Sequence, residues 1–256
     1  MIVKTKEELA ALQEGGRHIA RHLNELSKMV KPGATALQLE MRAREMCEED
    51  GDNAILLGYK YDKNKPAYHS ALCVSVNDMI VHSPAADNGA VFQNGDIVSL
   101  DFVIKHGEYC LDSAVTVFCG KPKNKDDEKL MNAAHEALEA GILAAKTGGT
   151  TGDIGSAVEA VATKYKLGFP KNLSGHGIGK NIHELPHVPN FGRPGEGEEL
   201  KEGMVITVEP MFTLGSGDLF IDKDGHGYRT KDGSRAVHVE HTIVVRKNGG
   251  EILTQM

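Results

Sequence analysis

Two aspartates in an otherwise apolar hairpin constrain this chain most. The segment GDIVSLDFVIKHGEYCLDSAVTVF, residues 95–118, has the pattern of two strands joined by a two-residue turn at His106-Gly107. That turn predicts that Asp101 faces Asp112, with Cβ atoms about 5 Å apart. Like charges placed this way destabilise a hairpin unless solvent or a cation separates them. The hairpin alone leaves two interpretations open, a solvent-facing strand and a metal site.

Composition sets broader limits. The chain has 256 residues, of which 40% are hydrophobic and 25% charged, values typical of a soluble globular protein. A net charge of −7 without a basic stripe argues against nucleic-acid binding. No apolar run approaches the roughly 20 residues of a membrane span. The four cysteines form no C-x-x-C pair, which favours a reducing cytoplasm.

The sequence signals that predict helices occur in two similar pairs. Thr5 and Glu8 form a predicted capping box, so the N-terminus begins a helix and has no apolar signal-peptide segment. The first predicted helix ends near Val30, and a second runs from Thr35 to about Glu49. A third begins near Asn124 and a fourth covers about 153–165.

Each helix pair is followed by predicted strands, and its two helices are joined by a similar turn. The turns read KPGAT (31–35) and KTGGT (146–150). The strand-like runs are ALCVSV (71–76), the aspartate hairpin, MVITVEPMF (204–212), DLFI (218–221) and AVHVEHTIVV (236–245). We therefore expect an α/β (α+β) single domain, residues 1–256, with pseudo-symmetric helix–helix–strand halves of about 1–122 and 123–256. Gly-Thr turns are common between helices, so coincidence also explains the similarity.

The second half supplies further candidate ligands. His176 lies in the glycine-rich GHGIG segment, and His183 follows in IHELP. Glu209 and Glu240 each interrupt an apolar strand, where a lone glutamate is usually on the solvent face. Several carboxylates within one core, however, require pairing or a metal.

Charge balance favours two metal ions over one. The four carboxylates of Asp101, Asp112, Glu209 and Glu240 carry −4, which two divalent ions neutralise. Oxygen-rich ligation with an imidazole suits Mn²⁺, Fe²⁺, Co²⁺ or Zn²⁺ without choosing among them. Paired ions activate water and stabilise a tetrahedral intermediate, which is hydrolytic chemistry.

The ordered set of these residues resembles the metal-binding set of the type I methionine aminopeptidases. The resemblance runs nearly end to end, from KTKEEL to EHTIVV. It implies the pita-bread fold, in which two pseudo-symmetric halves surround a dinuclear centre and a central antiparallel sheet. It also implies hydrolytic removal of the initiator methionine from nascent polypeptides.

The resemblance implies a role for each matching residue. Asp101 would chelate one ion, Asp112 and Glu240 would bridge both, and His176 and Glu209 would hold the other. Glu209 would also shuttle a proton. Two further residues match histidines of the family: His82 near the scissile amide nitrogen, and His183 beside the developing oxyanion.

Departures from the family pattern concentrate at the substrate pocket. Its matching positions are Tyr59, Tyr68, Cys73, Ile182 and His226. Ile182 and His226 stand where the family commonly has an aromatic residue and a tryptophan. Ser83 and Leu173 also depart from the pattern, and KYDKNKPA (60–67) is an apparent insertion. An apolar pocket distinguishes one methylene by only about 1–3 kcal/mol, so methionine preference is the property these changes would affect.

Two other functions are compatible with parts of this residue pattern. A prolidase or aminopeptidase P shares the five ligands but usually has an additional N-terminal domain, for which the helix start at Thr5 leaves no room. A non-catalytic pita-bread binding module typically loses ligands, whereas all five are present here.

The resemblance also carries expectations about partners. The expected substrate is the N-terminal peptide of nascent proteins, so we expect the enzyme in the cytoplasm, near the ribosome. We also expect a monomer, without membrane or nucleic-acid partners. The basic segments 60–66 and 121–125 are either ribosome contacts or solvated loops.

Overall fold

Four helices flank an antiparallel sheet. The structure, a computed structural model, describes residues 1–60, 66–87 and 89–256. The helices are α1 (Lys6–Met29), α2 (Ala36–Asp50), α3 (Lys125–Ala144) and α4 (Thr151–Tyr165). Capping boxes at Thr5, Thr35 and Thr150 begin α1, α2 and α4, and Asn124 caps α3. Helix α4 starts two residues before the predicted position because Thr150, not a later residue, is the cap.

The strands are short except for the aspartate hairpin. In chain order they are β1 (Asn53–Ala54), β2 (Leu72–Val76), β3 (Met79–Val81), β4 (Ile97–His106), β5 (Tyr109–Phe118), β6 (Ser174–Gly177), β7 (Glu184–Pro189), β8 (Val205–Val208), β9 (Met211–Thr213), β10 (Leu219–Ile221), β11 (Tyr228–Thr230), β12 (Ala236–His238), β13 (Glu240–Arg246) and β14 (Gly249–Ile252). The main sheet has the order β1-β4-β5-β13-β8-β6-β7, with β2 on β4 and β14 on β13. Strand β13 lies between β5 and β8, so the strands of the second half of the chain pair with those of the first.

The hairpin register differs from the prediction. His106 pairs with Tyr109, so the two-residue turn is Gly107-Glu108, and Asp101 faces Ala114 while Asp112 faces Val103. Gly107 has a φ of 56°, and glycine is favoured at the first central position of a tight hairpin turn that requires positive φ. The pairing partner of Asp101 is two residues from the predicted one, and a shift of two keeps each side chain on its face. Both aspartates therefore stay on one face, as diagonal neighbours.

Strand β13 adds a third carboxylate to this face. Glu240 pairs with Ala114, the same residue that pairs with Asp101 across the hairpin. Asp101, Ala114 and Glu240 therefore form one row across three strands, with Asp112 diagonal to both carboxylates. The small side chain of Ala114 leaves the space between them open.

Two predicted strands are each divided in the structure. The 204–212 segment breaks after β8 at Glu209 and Pro210, and the 236–245 segment breaks at Val239. Proline cannot donate a ladder hydrogen bond, which explains the first break. Glu209 is thereby free of the ladder at a strand end, where its side chain can turn toward the hairpin.

The core divides into two large clusters. One joins α1 and α2 to β2 and β4, and the other joins α3 and α4 to β8 and β13. Helix α1 approaches the C-terminal segment so closely that a Cβ at Gly16 would lie 2.1 Å from the carbonyl oxygen of Leu253. The division of the chain into pseudo-symmetric halves near residue 122 stays a prediction. Among the described residues, no helix has the length and apolarity needed to cross a membrane.

Candidate metal centre and active site

The sequence-predicted residues meet in one cavity. It has a volume of about 470 Å³. Its walls include all five predicted ligands, Asp101, Asp112, His176, Glu209 and Glu240, together with both predicted auxiliary histidines, His82 and His183. The sheet supplies the ligands, since they come from β4, β5, β6, β13 and the residue after β8.

Three of the carboxylates, Asp101, Asp112 and Glu240, are buried, and Glu209, whose side chain is 12% exposed, lines the same cavity. Desolvation raises the pKa of Asp101 to about 6 and that of Glu209 to about 8. The pKa values of Asp112 and Glu240 are raised well above their ordinary range, first by desolvation and then by the neighbouring carboxylates. Burial and like charge both disfavour four anions here, so the site requires protons or cations.

The donor set fits divalent cations. Within the described part of the chain, Asp112 Oδ1 and Glu240 Oε1 are buried without a hydrogen-bond partner. Asp112, His176 and Glu240 each offer a ligand atom, and these atoms lie within 4.8 Å of one another. Buried oxygen acceptors without donors, combined with an imidazole, match the preferences of Mn²⁺, Fe²⁺, Co²⁺ and Zn²⁺.

His176 presents Nε2 to the carboxylates. This atom lies 3.8 Å from Asp112 Oδ2 and 3.8 Å from Glu209 Oε1. Nδ1 is 2.9 Å from the carbonyl oxygen of Gly177, to which it can donate. That contact favours the tautomer with a bare Nε2, the arrangement that a metal-binding histidine needs. Burial lowers the pKa of His176 to about 3, so the ring is neutral.

Two threonines that the sequence analysis did not single out hold these ligands. The Thr207 hydroxyl donates to Glu209 Oε1 at 2.9 Å and accepts the backbone N–H of His176 at 3.0 Å. The Thr242 hydroxyl accepts the backbone N–H of Asp112 at 3.0 Å and donates to its carbonyl oxygen at 2.7 Å. Thr207 and Thr242 each lie two residues from a glutamate in an apolar run, and this spacing is the signal that could have identified them.

A third residue absent from the predicted set is His238. It lines the cavity and is fully buried, with its Nε2 3.8 Å from Glu209 Oε2 and 3.7 Å from Glu240 Oε2. Desolvation lowers its pKa to about 3. Its position two residues before Glu240 was the available signal, since alternate residues of an extended chain share a face.

His82 and His183 both line the cavity. His82 follows β3 with a φ of 61°, a left-handed conformation that costs a non-glycine residue about 1–3 kcal/mol. Desolvation lowers its pKa to about 4. The ring of His183 lies edge-on to that of His176, at 4.5 Å between centroids, and Tyr59 Oη lies 3.1 Å from His183 Nδ1.

The five residues predicted to form the substrate pocket also line the cavity. They are Tyr59, Tyr68, Cys73, Ile182 and His226. The Tyr68 hydroxyl donates to Cys73 Sγ at 2.9 Å, and the His226 ring packs edge-on to Tyr68 at 5.2 Å. Burial raises the pKa of the Cys73 thiol well above its ordinary range. The apparent insertion at 60–67 and the basic segment 60–66 have their central residues, 61–65, outside the described part of the chain.

Comparison with known proteins defines the class. Residues 10–247 match metallopeptidase family M24. The chain therefore belongs to the M24 metallopeptidases, and the resemblance predicted from the sequence is confirmed.

Within this family, the relatives are methionine aminopeptidases. The methionine aminopeptidase of Aquifex aeolicus is 37% identical over 98% of each chain. The crystal structure of the methionine aminopeptidase of Thermotoga maritima superposes with a TM-score of 0.93 at 34% identity, covering 100% of both chains.

A more distant likeness concerns the fold alone. A prolidase from Pyrococcus furiosus matches with a TM-score of 0.74 at 22% identity, and this chain covers 66% of it. The methionine aminopeptidase and prolidase matches together confirm the predicted pita-bread architecture.

Proposed function

We propose that this protein is a metal-dependent aminopeptidase that removes N-terminal methionine from polypeptides by hydrolysis. The observation that carries the proposal is a cluster of four carboxylates and an imidazole that line one cavity, in a chain that matches the M24 family over residues 10–247. Its substrates would be nascent chains that retain the initiator methionine, met in the cytoplasm by a monomeric enzyme.

Two divalent ions are the cofactor that the cluster suits best. By resemblance to the family, Asp101 would chelate one ion, His176 and Glu209 would hold the other, and Asp112 and Glu240 would serve both. The four carboxylates carry −4, which two divalent ions neutralise. When bound, such ions lower the pKa of water and stabilise charge on a tetrahedral intermediate.

The residues around the centre have separate tasks. Glu209 would accept the proton of the attacking water and return it to the departing amine, the role of a general acid–base group. His183 would donate to the carbonyl oxygen as it becomes an oxyanion. His82, which also lines the cavity, would contact the scissile amide nitrogen.

The cavity would bind the methionine side chain. Leu56, Val81, Leu173 and Met211 give it apolar walls, and Tyr68, Cys73 and His226 extend them. A flexible thioether fills such a pocket well, and sulfur contacts with aromatic rings add about 0.3–1.5 kcal/mol.

A peptide panel tests the function directly. Chelator-stripped protein is assayed anaerobically on Met-Ala-Ser, on matched Leu and Ala peptides and on Xaa-Pro dipeptides, with Mn²⁺, Fe²⁺ or Co²⁺ restored. We expect metal-dependent release of methionine. Cleavage confined to Xaa-Pro substrates would assign the chain to prolidase chemistry, and binding without cleavage under any metal would assign a non-catalytic role.

A further inference from the structure

We propose that His238 is an additional nitrogen ligand of the metal centre, beside Glu209 and Glu240. The inference rests on the proposed metal-dependent function. It adds a second imidazole to the five ligands that the sequence predicts.

The position of Nε2 carries the proposal. His238 Nε2 lies 3.8 Å from Glu209 Oε2 and 3.7 Å from Glu240 Oε2. These separations match those of His176, whose Nε2 is 3.8 Å from Asp112 and 3.8 Å from Glu209. A distance of 3.7–3.8 Å is too long for a hydrogen bond, yet it is the spacing of two donors about 2.1 Å from one ion at a wide angle.

The surroundings of the ring supply a second, independent observation. His238 is 2% exposed. Neither of its ring nitrogens has a hydrogen-bond partner in the part of the chain that the structure describes. A buried polar group without a partner is costly, and the cavity into which His238 faces already contains the predicted ligands.

The backbone fixes the residue where it can reach the ion. The His238 N–H donates to the hydroxyls of Ser99 and Thr116, at 3.3 and 3.2 Å, and its carbonyl oxygen accepts from the Thr116 hydroxyl. Strand β12 pairs His238 with Met211, two residues after Glu209. The His238 side chain is thus held between the two glutamates that it approaches.

The chemical consequence concerns metal preference. With His238, the centre has two imidazole donors beside its four carboxylates. Imidazole favours the later divalent metals, such as Fe²⁺, Co²⁺ and Zn²⁺, over Mn²⁺. The proposal therefore predicts a stronger preference for these metals over Mn²⁺ than a single imidazole would give.

The test counts histidine ligands. X-ray absorption spectra of the protein loaded with two equivalents of Co²⁺ should show an average of about one imidazole per ion, because two histidines serve two ions. In His238→Gln and in His176→Gln this average should fall to about half. His135→Gln, a change on the exposed face of α3, is the control and should leave it unchanged. An undiminished average in His238→Gln would overturn the proposal.

A second measurement avoids dependence on the variant's folding. Long-range ¹H–¹⁵N correlation spectra of the unmodified, ¹⁵N-histidine-labelled protein should show two rings acquiring a metal-bound Nε2 on addition of Zn²⁺. One such ring would overturn the proposal and leave the proposed function intact. Failure of the unmodified protein to bind Zn²⁺ or Co²⁺ at all would contradict the proposed function itself.

Discussion

Glu209 has a position that serves both ligation and proton transfer. It stands outside the strand ladder, and its Oε1 accepts a hydrogen bond from the Thr207 hydroxyl at 2.9 Å. An amide in its place keeps the shape and removes both the negative charge and the proton-carrying oxygen.

Replacement of Glu209 should abolish turnover without unfolding the protein. We expect Glu209→Gln to lower kcat by about 10²–10⁴-fold, the usual contribution of a general acid–base group. Turnover, metal content and thermal melting are measured together, with Glu128→Gln on α3 as a matched exposed change. Near-normal turnover in Glu209→Gln would refute the role.

Tyr59 offers a milder test, because it contacts His183 rather than the centre. Removing the hydroxyl that lies 3.1 Å from His183 Nδ1 should cost about 1 kcal/mol of orientation, or roughly fivefold in kcat. Tyr165→Phe is the matched control, since its hydroxyl donates to Glu136 at 2.8 Å, far from the cavity. Equal kcat values for Tyr59→Phe and Tyr165→Phe would show that Tyr59 does not position His183.

At the scale of elements, the close approach of α1 to the C-terminal segment depends on glycine. Gly16→Ala should destabilise the fold although alanine favours helix by about 1 kcal/mol. The new Cβ would meet the Leu253 carbonyl at 2.1 Å, and such overpacking costs about 1–3 kcal/mol or more. Urea unfolding measures the difference, with exposed Arg17→Ala on the same helix as the control. A Gly16→Ala variant at least as stable as the parent would contradict this packing.

The elements also show which parts of the fold were readable from the sequence. Capping boxes such as Thr5 with Glu8 placed the helix starts because their signal is local. The hairpin turn was misplaced by one residue because His106-Gly107 and Gly107-Glu108 preserve the same alternation and both have Gly107 at a central turn position. The observed pairing of His106 with Tyr109 decides between them. Both registers keep Asp101 and Asp112 on one face, so the misplaced turn did not change the prediction that these two side chains lie together.

At the scale of the whole molecule, pH and metal should act on stability together. Above pH 7 the cavity histidines whose pKa values burial lowers, His82, His176, His183 and His238, are neutral in the fold. Glu209, with a pKa of about 8, still holds a proton in the fold. Asp112 and Glu240, whose pKa values are also raised, behave likewise. The unfolded chain has released these protons, so stability falls as pH rises through this window.

We expect metal-free protein to lose stability between pH 7 and pH 8, by up to about 1.4 kcal/mol per pH unit for each carboxyl that stays protonated in the fold. Divalent metal should remove this loss, because it displaces the protons. Denaturant unfolding with chelator and with Mn²⁺ measures both slopes. Identical slopes of stability against pH with chelator and with Mn²⁺ would argue against the protons and the metal sharing one site.

Long-range assembly limited the rest of the sequence-based prediction. His238 was missed although it stands two residues before Glu240, because alternation does not show that the two residues keep a common face across the break at Val239. The pairing of β12 with β9 shows that His238 lies beside the cavity. The five ligands were found because their order along the chain resembles a known family. Their convergence depends on the register of β13 against β5, which has no local signal.

The burial of Cys73 has a consequence for chemical labelling. Desolvation and the nearby Asp101 carboxylate raise the pKa of the Cys73 thiol well above its ordinary range, although the hydrogen bond from the Tyr68 hydroxyl lowers it. Cys73 is therefore a poor source of thiolate, the form that reacts with electrophiles. The other three cysteines are buried too, and burial raises the pKa of each. Alkylating reagents should therefore modify the folded protein slowly, and rapid labelling would report opening of the core.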